Sequence, residues 1–184
     1  MSEEDRPVPL LVLGLGNLLC ADDGLGALAV HLLTQQYRAP EGALVLDGGT
    51  LGLSLLPHLE QARDAILVDA IRTDSAPGTF VRLEGDEVAP AVASRLSVHQ
   101  IGVLDLLEAA RWRQRTPQRL VLLGLVPQSL ELGLGCTPAV EAAVPGLVRQ
   151  VVAEAEAFGQ RFLPRTRDEA AVPDASSLAR VYGL

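Results

Sequence analysis

Short apolar runs that end in glycine alternate along this chain with segments in which apolar residues recur every three or four positions. Four runs have the length and composition of strands buried on both faces: VPLLVLGLG (8–16), GALVLDGGT (42–50), DAILVDAI (64–71) and QRLVLLGLVP (118–127). Helical spacing occupies residues 24–37, 51–61 and about 100–113 between them. This alternation is typical of an α/β fold with a mainly parallel sheet.

Two further segments complete the predicted architecture. The segment APGTFVRLEGDE (76–87) predicts a turn and a more polar strand near a sheet edge, and SVHQIG (97–102) is expected to lie in a loop. Thr137 and Pro138 predict the start of a helix, with Thr137 as a side-chain cap and Pro138 as a first residue whose φ is already helical. Pro145 should kink or divide that helix. The sequence therefore predicts a three-layer α/β fold, a twisted, mostly parallel five-stranded sheet with helices on both faces.

The length and the end of the periodic pattern predict the domain organisation. The 184 residues suit a single domain, and we expect a globular core over about 8–162. Residues 163–184 mix charge, proline and serine without periodicity and are expected to form a flexible tail.

The charge of the chain excludes several classes of partner. A net charge of −8 offers no basic face for nucleic acid or anionic lipid. No apolar run approaches the roughly 20 residues of a membrane span, and the acidic start MSEEDRPVP lacks the apolar core of a secretory signal. We expect a cytoplasmic protein, without nucleic-acid or membrane partners, whose Cys20 and Cys136 are free thiols.

The stretch GLGNLLCADDGLG (14–26) places a glycine-rich turn beside two aspartates. It departs from a dinucleotide fingerprint because the sixth position is Leu19, and two carboxylates at the helix start would repel a phosphate. The interpretation is that Asp22 caps the following helix and Asp23 is left as a candidate ligand.

Asp23, Asp69 and His99 each follow or flank the end of a predicted strand. Because doubly wound folds keep their ligand sites at the carboxyl ends of the strands, these residues should share one edge of the sheet. His31 and His58 fall inside predicted helices. Two carboxylates and an imidazole suit zinc, nickel or manganese, but the same three residues could act as a metal-free acid and base pair.

The ordered motifs GLGNLLCADDGLG, LDGGTLGLSLL, ILVDAI, APGT, SVHQIG and GLVPQSLELGLGCTPAVEAAV resemble those of the maturation endopeptidases of nickel-iron hydrogenases. The resemblance extends from about Leu10 to Phe158 and implies a twisted, mostly parallel sheet between helices. It also implies an endopeptidase that removes the C-terminal extension of the hydrogenase large-subunit precursor once nickel has been inserted.

The same resemblance implies roles for individual residues. Asp23, Asp69 and His99 match the family's metal-contact positions, and the nickel would arrive on the thiolates of the precursor, so that no permanent metal and no nucleotide is needed. Asp47 matches a family signature but could instead serve the turn at Gly48 and Gly49. The group that activates the attacking water stays open.

Three rival hypotheses stand beside the peptidase. One is a nickel-binding maturation chaperone without proteolytic activity, and another is a small nucleotide-binding oxidoreductase. A third replaces the mechanism rather than the function, with Cys20 as a thiol nucleophile beside the site.

Overall fold

The computed structural model describes residues 7–93 and 98–166, and of these the side chains of residues 93 and 98–101 are outside the description. The strands are β1 (Leu11–Leu15), β2 (Tyr37–Arg38), β3 (Leu44–Gly49), β4 (Asp64–Ala70), β5 (Phe80–Glu84), β6 (Arg119–Leu125) and β7 (Leu163–Pro164). The helices are α1 (Leu25–Gln36), α2 (Leu56–Gln61), α3 (Val88–Ala93), α4 (Val98–Trp112) and α5 (Pro138–Ala157). Short 3₁₀ turns occupy Ala21–Gly24, Gly52–Leu55 and Gly85–Glu87.

Five strands form one sheet in the order β3-β1-β4-β6-β5. β3, β1, β4 and β6 run parallel to their neighbours, and β5 pairs antiparallel with β6 at the edge. Every residue of β1 and β4 is buried, whereas β5 is exposed at alternate positions. The prediction of a mostly parallel five-stranded sheet with a polar edge strand is confirmed.

Helices cover both faces of this sheet, as the sequence predicted. Val12, Ile66 and Val68 point to the face that α1 and α5 cover. Leu13 and Leu67 point to the opposite face, where α2, α3 and α4 pack. The alternation follows from the two-residue period of a strand, and it separates the core into two apolar layers.

The structure differs from the predicted elements in three places. α4 begins at Val98, so the VHQIG part of the segment expected as a loop lies in the first turns of a helix. α3 was not predicted, because its six residues are too short to show a helical period. α5 continues through Pro145, so that proline does not divide the helix. Val144 and Leu147 on either side of it are buried in one core layer, and this packing outweighs the lost backbone hydrogen bond.

The end of the globular region also extends slightly beyond its predicted limit. Leu163 and Pro164 pair antiparallel with Tyr37 and Arg38. Arg165 N donates to Gln36 O at 2.8 Å, and the part of the predicted flexible tail from residue 167 to residue 184 lies outside the described residues.

Candidate active site

Gly16, the residue after β1, brings two of the predicted site residues together. Its φ of 116° is a conformation that glycine tolerates and other residues avoid. A Cβ at this position would overlap the carbonyl oxygen of Asp23 and would lie 3.6 Å from Oδ1 of Asp69. The backbone of Asp23 and the carboxylate of Asp69 therefore lie against the same residue, at the carboxyl ends of the neighbouring strands β1 and β4.

Both carboxylates are buried and held by backbone amides. Asn17 N donates to Asp23 Oδ2 at 2.9 Å, and Ala70 N donates to Asp69 Oδ1 at 2.7 Å. Burying a carboxylate is costly without such bonds, and the bonds fix the orientation of each side chain. The result is two oriented carboxylates at neighbouring strand ends, one in the turn after β1 and one near the end of β4, and such a donor set suits a divalent metal or proton transfer.

Asp22 does not cap α1, so the sequence interpretation of this residue is wrong. Gly24 occupies the N-cap of α1 without a side-chain hydrogen bond. The fully buried Asp22 instead accepts backbone hydrogen bonds from Gln128 at 2.8 Å, Ser129 at 3.0 Å and Thr137 at 2.6 Å. It ties the loop of residues 128–137 to the turn after β1.

Thr137 and Pro138 start α5 as predicted, but the side chain of Thr137 does not cap the helix. Its hydroxyl donates to Asp22 Oδ2 at 2.9 Å. Burial acts to raise the pKa of Asp22, but the hydrogen bonds from Ser129, Thr137 and Gln128 outweigh burial and lower that pKa below its ordinary value. Asp22 is therefore a charged structural residue.

The backbone of His99 lies in the first turn of α4, and its side chain is outside the described residues. Asp69 lies on the same face of β4 as Ala65 and Leu67, because side chains two residues apart on a strand point the same way, and α4 covers that face. The start of α4 is fixed by a close contact: a Cβ on Gly52, in the turn that follows β3, would lie 3.2 Å from the Cα of Gly102. The fold thus places the His99 backbone in the layer toward which Asp69 points.

A three-ligand metal site remains a prediction. Among the residues whose side chains the structure describes, no group of three or more His, Cys, Asp and Glu could hold a metal ion. The described side chains include those of Asp23 and Asp69 but not that of His99, so this finding does not test the three-residue site.

Asp47 and the cysteines have other surroundings. Asp47 Oδ1 accepts from Gly49 N at 3.0 Å, and Gly16 N donates to Gly49 O at 3.1 Å, so Asp47 shapes the turn beside the site.

Cys20 lies in an isolated parallel bridge with Gly133, and both cysteines are free and partly buried. Burial, with Asp22 and Glu141 nearby, raises the pKa of Cys136 to about 11, which makes it a poor nucleophile.

No helix in the described part of the chain has both the length and the apolar character needed to cross a membrane.

Comparison with known proteins identifies the family. The family model described as hydrogenase maturation protease matches residues 28–154. The chain is 39% identical over 157 residues to the hydrogenase 2 maturation protease of Escherichia coli K12, covering 85% of this chain and 96% of that protein. It is 37% identical over 156 residues to the hydrogenase expression/formation protein HupD of Rhodobacter capsulatus, covering 84% and 74%.

Solved structures agree with this assignment. The hydrogenase maturating endopeptidase HybD from E. coli superposes with a TM-score of 0.82 at 39% identity, covering 85% of this chain and 98% of that one. The [NiFe] hydrogenase maturation protease HybD from Thermococcus kodakarensis superposes with a TM-score of 0.66 at 28% identity, covering 80% and 99%. The chain belongs to the hydrogenase maturation protease family.

Proposed function

We propose that this protease removes the C-terminal extension of a nickel-iron hydrogenase large-subunit precursor after nickel insertion, and that Asp23, Asp69 and His99 contact the nickel that the precursor carries. Family membership makes the chain a peptidase, which favours this function over the non-proteolytic chaperone and the nucleotide-binding oxidoreductase. The observation that carries the proposal is the placement of Asp23 and Asp69 against the single turn at Gly16.

The chemistry of these residues suits a metal delivered by the substrate. Carboxylate oxygens and an imidazole nitrogen bind nickel, and a metal already held by the precursor's thiolates would accept them as additional ligands. Binding the metal would hold the precursor in one orientation, so that the peptide bond to be cleaved lies beside fixed carboxylates. The same carboxylates are suited to accept a proton from the attacking water.

The first test measures processing by single variants. Purified protein is incubated with nickel-loaded large-subunit precursor, and the mass of the precursor is followed over time. His99→Ala and Asp69→Asn should reduce the processing rate by at least about 100-fold, because each removes a group that we propose to lie at the reacting centre. Circular dichroism should show that both variants remain folded.

Matched controls exist elsewhere in the chain. His31 is exposed in α1, and Asp105 is exposed in α4. His31→Ala and Asp105→Asn should process the precursor within about twofold of the wild-type rate. Normal processing by His99→Ala or by Asp69→Asn would remove that residue from the site.

A second test separates nickel contact from proteolysis. The wild-type protein should cleave the nickel-loaded precursor and leave the nickel-free precursor intact. Equal cleavage of both forms would contradict the role of nickel while leaving the peptidase activity established.

A further inference from the structure

Six exposed leucines lie on the loops that follow β1, β3 and β6. We call this set the leucine rim: Leu18, Leu19, Leu51, Leu53, Leu132 and Leu134. Leu132 and Leu134 are the most exposed, at 87% and 85%, and Leu19 is 60% exposed. Single leucines scattered over a surface are ordinary, but a set of exposed leucines beside a candidate active site indicates an interaction surface.

Leu18 and Leu19 belong to the turn that holds the site. This turn is closed by the Asn17 amide, which donates to the carboxylate of Asp23, and by the Asp23 amide, which donates to Cys20 O at 3.0 Å. A Cβ on Gly24 would lie 3.1 Å from the Cα of Leu18. The turn therefore holds Leu18 and Leu19 close to Asp23.

Leu132 and Leu134 are attached to the same turn by backbone hydrogen bonds at the residue between them. Gly133 N donates to Leu19 O at 2.9 Å, and Ala21 N donates to Gly133 O at 2.8 Å. Because β4 separates β6 from β1 in the sheet, a loop that leaves β6 and bonds to the turn after β1 must span the width of β4. These leucines thus border the strand end that carries Asp69.

Leu51 and Leu53 extend the rim on the other side of β1. They follow β3, the other neighbour of β1, and the two strand ends are joined by the bond from Gly16 N to Gly49 O. The rim therefore occupies loops on both sides of the two carboxylates.

The rim is apolar in its surroundings as well. Residues 17–21 contain no charged side chain, and residues 128–136 contain only Glu131. The acidic groups beside the rim, Asp22, Asp23 and Asp69, are buried. A surface of this composition suits apolar side chains and offers little to a charged segment.

We propose that the leucine rim binds the precursor polypeptide on both sides of the bond to be cleaved, by contact with apolar side chains of that segment. The inference rests on the proposed function of the Asp23 and Asp69 site. The occupant is the precursor because a protease must bring its substrate chain to the catalytic carboxylates, and the rim borders them on two sides.

The experiment is steady-state processing of nickel-loaded precursor by the double variant Leu132→Ser with Leu134→Ser, and separately by Leu51→Ser with Leu53→Ser. Each double variant should raise KM at least about tenfold and leave kcat within about twofold, because the lost contacts bind the chain and do not act on the reacting bond. The matched control is Trp112→Ser, since Trp112 is 88% exposed at the far end of α4. Its KM should equal that of the wild type.

Several results would overturn the inference. An unchanged KM in both double variants, or a fall in kcat at constant KM, would show that the rim does not bind the precursor. If sedimentation showed a wild-type dimer that the rim variants lose while KM stays the same, the rim would be a contact between two copies of this chain. Failure of the proposed function is distinct, since it would appear as normal processing by Asp69→Asn.

Discussion

Asp22 and Thr137, 115 residues apart in the chain, are joined by two hydrogen bonds to the same carboxylate: the Thr137 amide donates to Oδ1 at 2.6 Å and the hydroxyl donates to Oδ2 at 2.9 Å. Asp22 directly precedes a proposed nickel contact, and Thr137 occupies the N-cap position of α5. The link therefore fixes the loop of residues 128–137, and with it part of the leucine rim, relative to the candidate active site.

Replacing Asp22 should destabilise the fold. Asp22→Asn puts an amide group where a buried carboxylate accepts bonds from Gln128, Ser129 and Thr137. We expect the free energy of unfolding to fall by about 2–4 kcal/mol, because charged acceptors are lost and backbone donors are left without them. Urea denaturation measures this change.

The control for this variant is the exposed Asp105, whose Asn variant should unfold within about 0.5 kcal/mol of the wild type. Equal stabilities of the Asp22 and Asp105 variants would show that the buried hydrogen bonds contribute no net stability.

The pH dependence of stability follows from two carboxyl groups. Asp22 and Asp64 both have a folded-state pKa below the ordinary value of 3.8, in each case because hydrogen bonds outweigh the effect of burial. Arg119 donates to Asp64 at 2.6 Å, and Arg63 donates to it at 2.9 Å. Near these pKa values the folded state therefore binds fewer protons than the unfolded state. The stabilisation from both carboxylates is fully present above about pH 3.8 and is lost as the pH falls through the lowered pKa values.

Urea denaturation at a series of pH values should show this loss as the pH falls below about 3.8. Asp22→Asn should show a smaller loss over the same range, since one of the two groups no longer titrates. An identical pH profile for wild type and variant would contradict the lowered pKa of Asp22.

The strands of the sheet and the position of Asp69 could be predicted because their signals are local. The apolar run of β4 and the carboxylate near its end are adjacent in sequence, and parallel strands bring their carboxyl ends to one edge. The start of α4 could also have been predicted from the sequence, because Val98, Ile101 and Leu104 follow one another at the three-residue spacing of a helix.

The role of Asp22 could not be predicted. Its partners lie 106, 107 and 115 residues away, and no spacing near Asp22 indicates them. A helix cap is the ordinary local interpretation of an aspartate before a helix, and the long-range hydrogen bonds overrode it. The leucine rim was missed for a similar reason, since exposed and buried leucines look alike in a sequence and only the fold brings three loops to one edge.

Gly16 should tolerate no side chain. Gly16→Ala would place Cβ against the carbonyl oxygen of Asp23 in addition to a backbone conformation at φ 116° that alanine avoids. We expect a loss of at least about 3 kcal/mol in unfolding free energy and loss of processing, because the turn that holds Asp23 and faces Asp69 must move.

A matched glycine separates the steric contribution from the backbone contribution. Gly159 has φ 77°, and a Cβ there would meet nothing within 4 Å. Gly159→Ala should therefore cost only about 1–2 kcal/mol, the backbone strain alone, and should retain processing. Similar losses in the two variants would refute the close contact at Gly16.

Cys136 should react slowly with alkylating reagents. Its pKa of about 11, against an ordinary value of 9.0, reduces the thiolate fraction at pH 8 to about one hundredth of that of an unperturbed thiol. Labelling the folded protein with iodoacetamide at pH 8 and quantifying the Cys136 peptide by mass spectrometry should give a rate at least about 100-fold below that of the urea-unfolded chain. In Asp22→Asn one of the negative charges that raise this pKa is removed, so labelling of Cys136 in that variant should be faster than in the wild type. Equal labelling rates in the folded and unfolded wild-type protein would show that neither burial nor the nearby carboxylates hold the thiol in its protonated form.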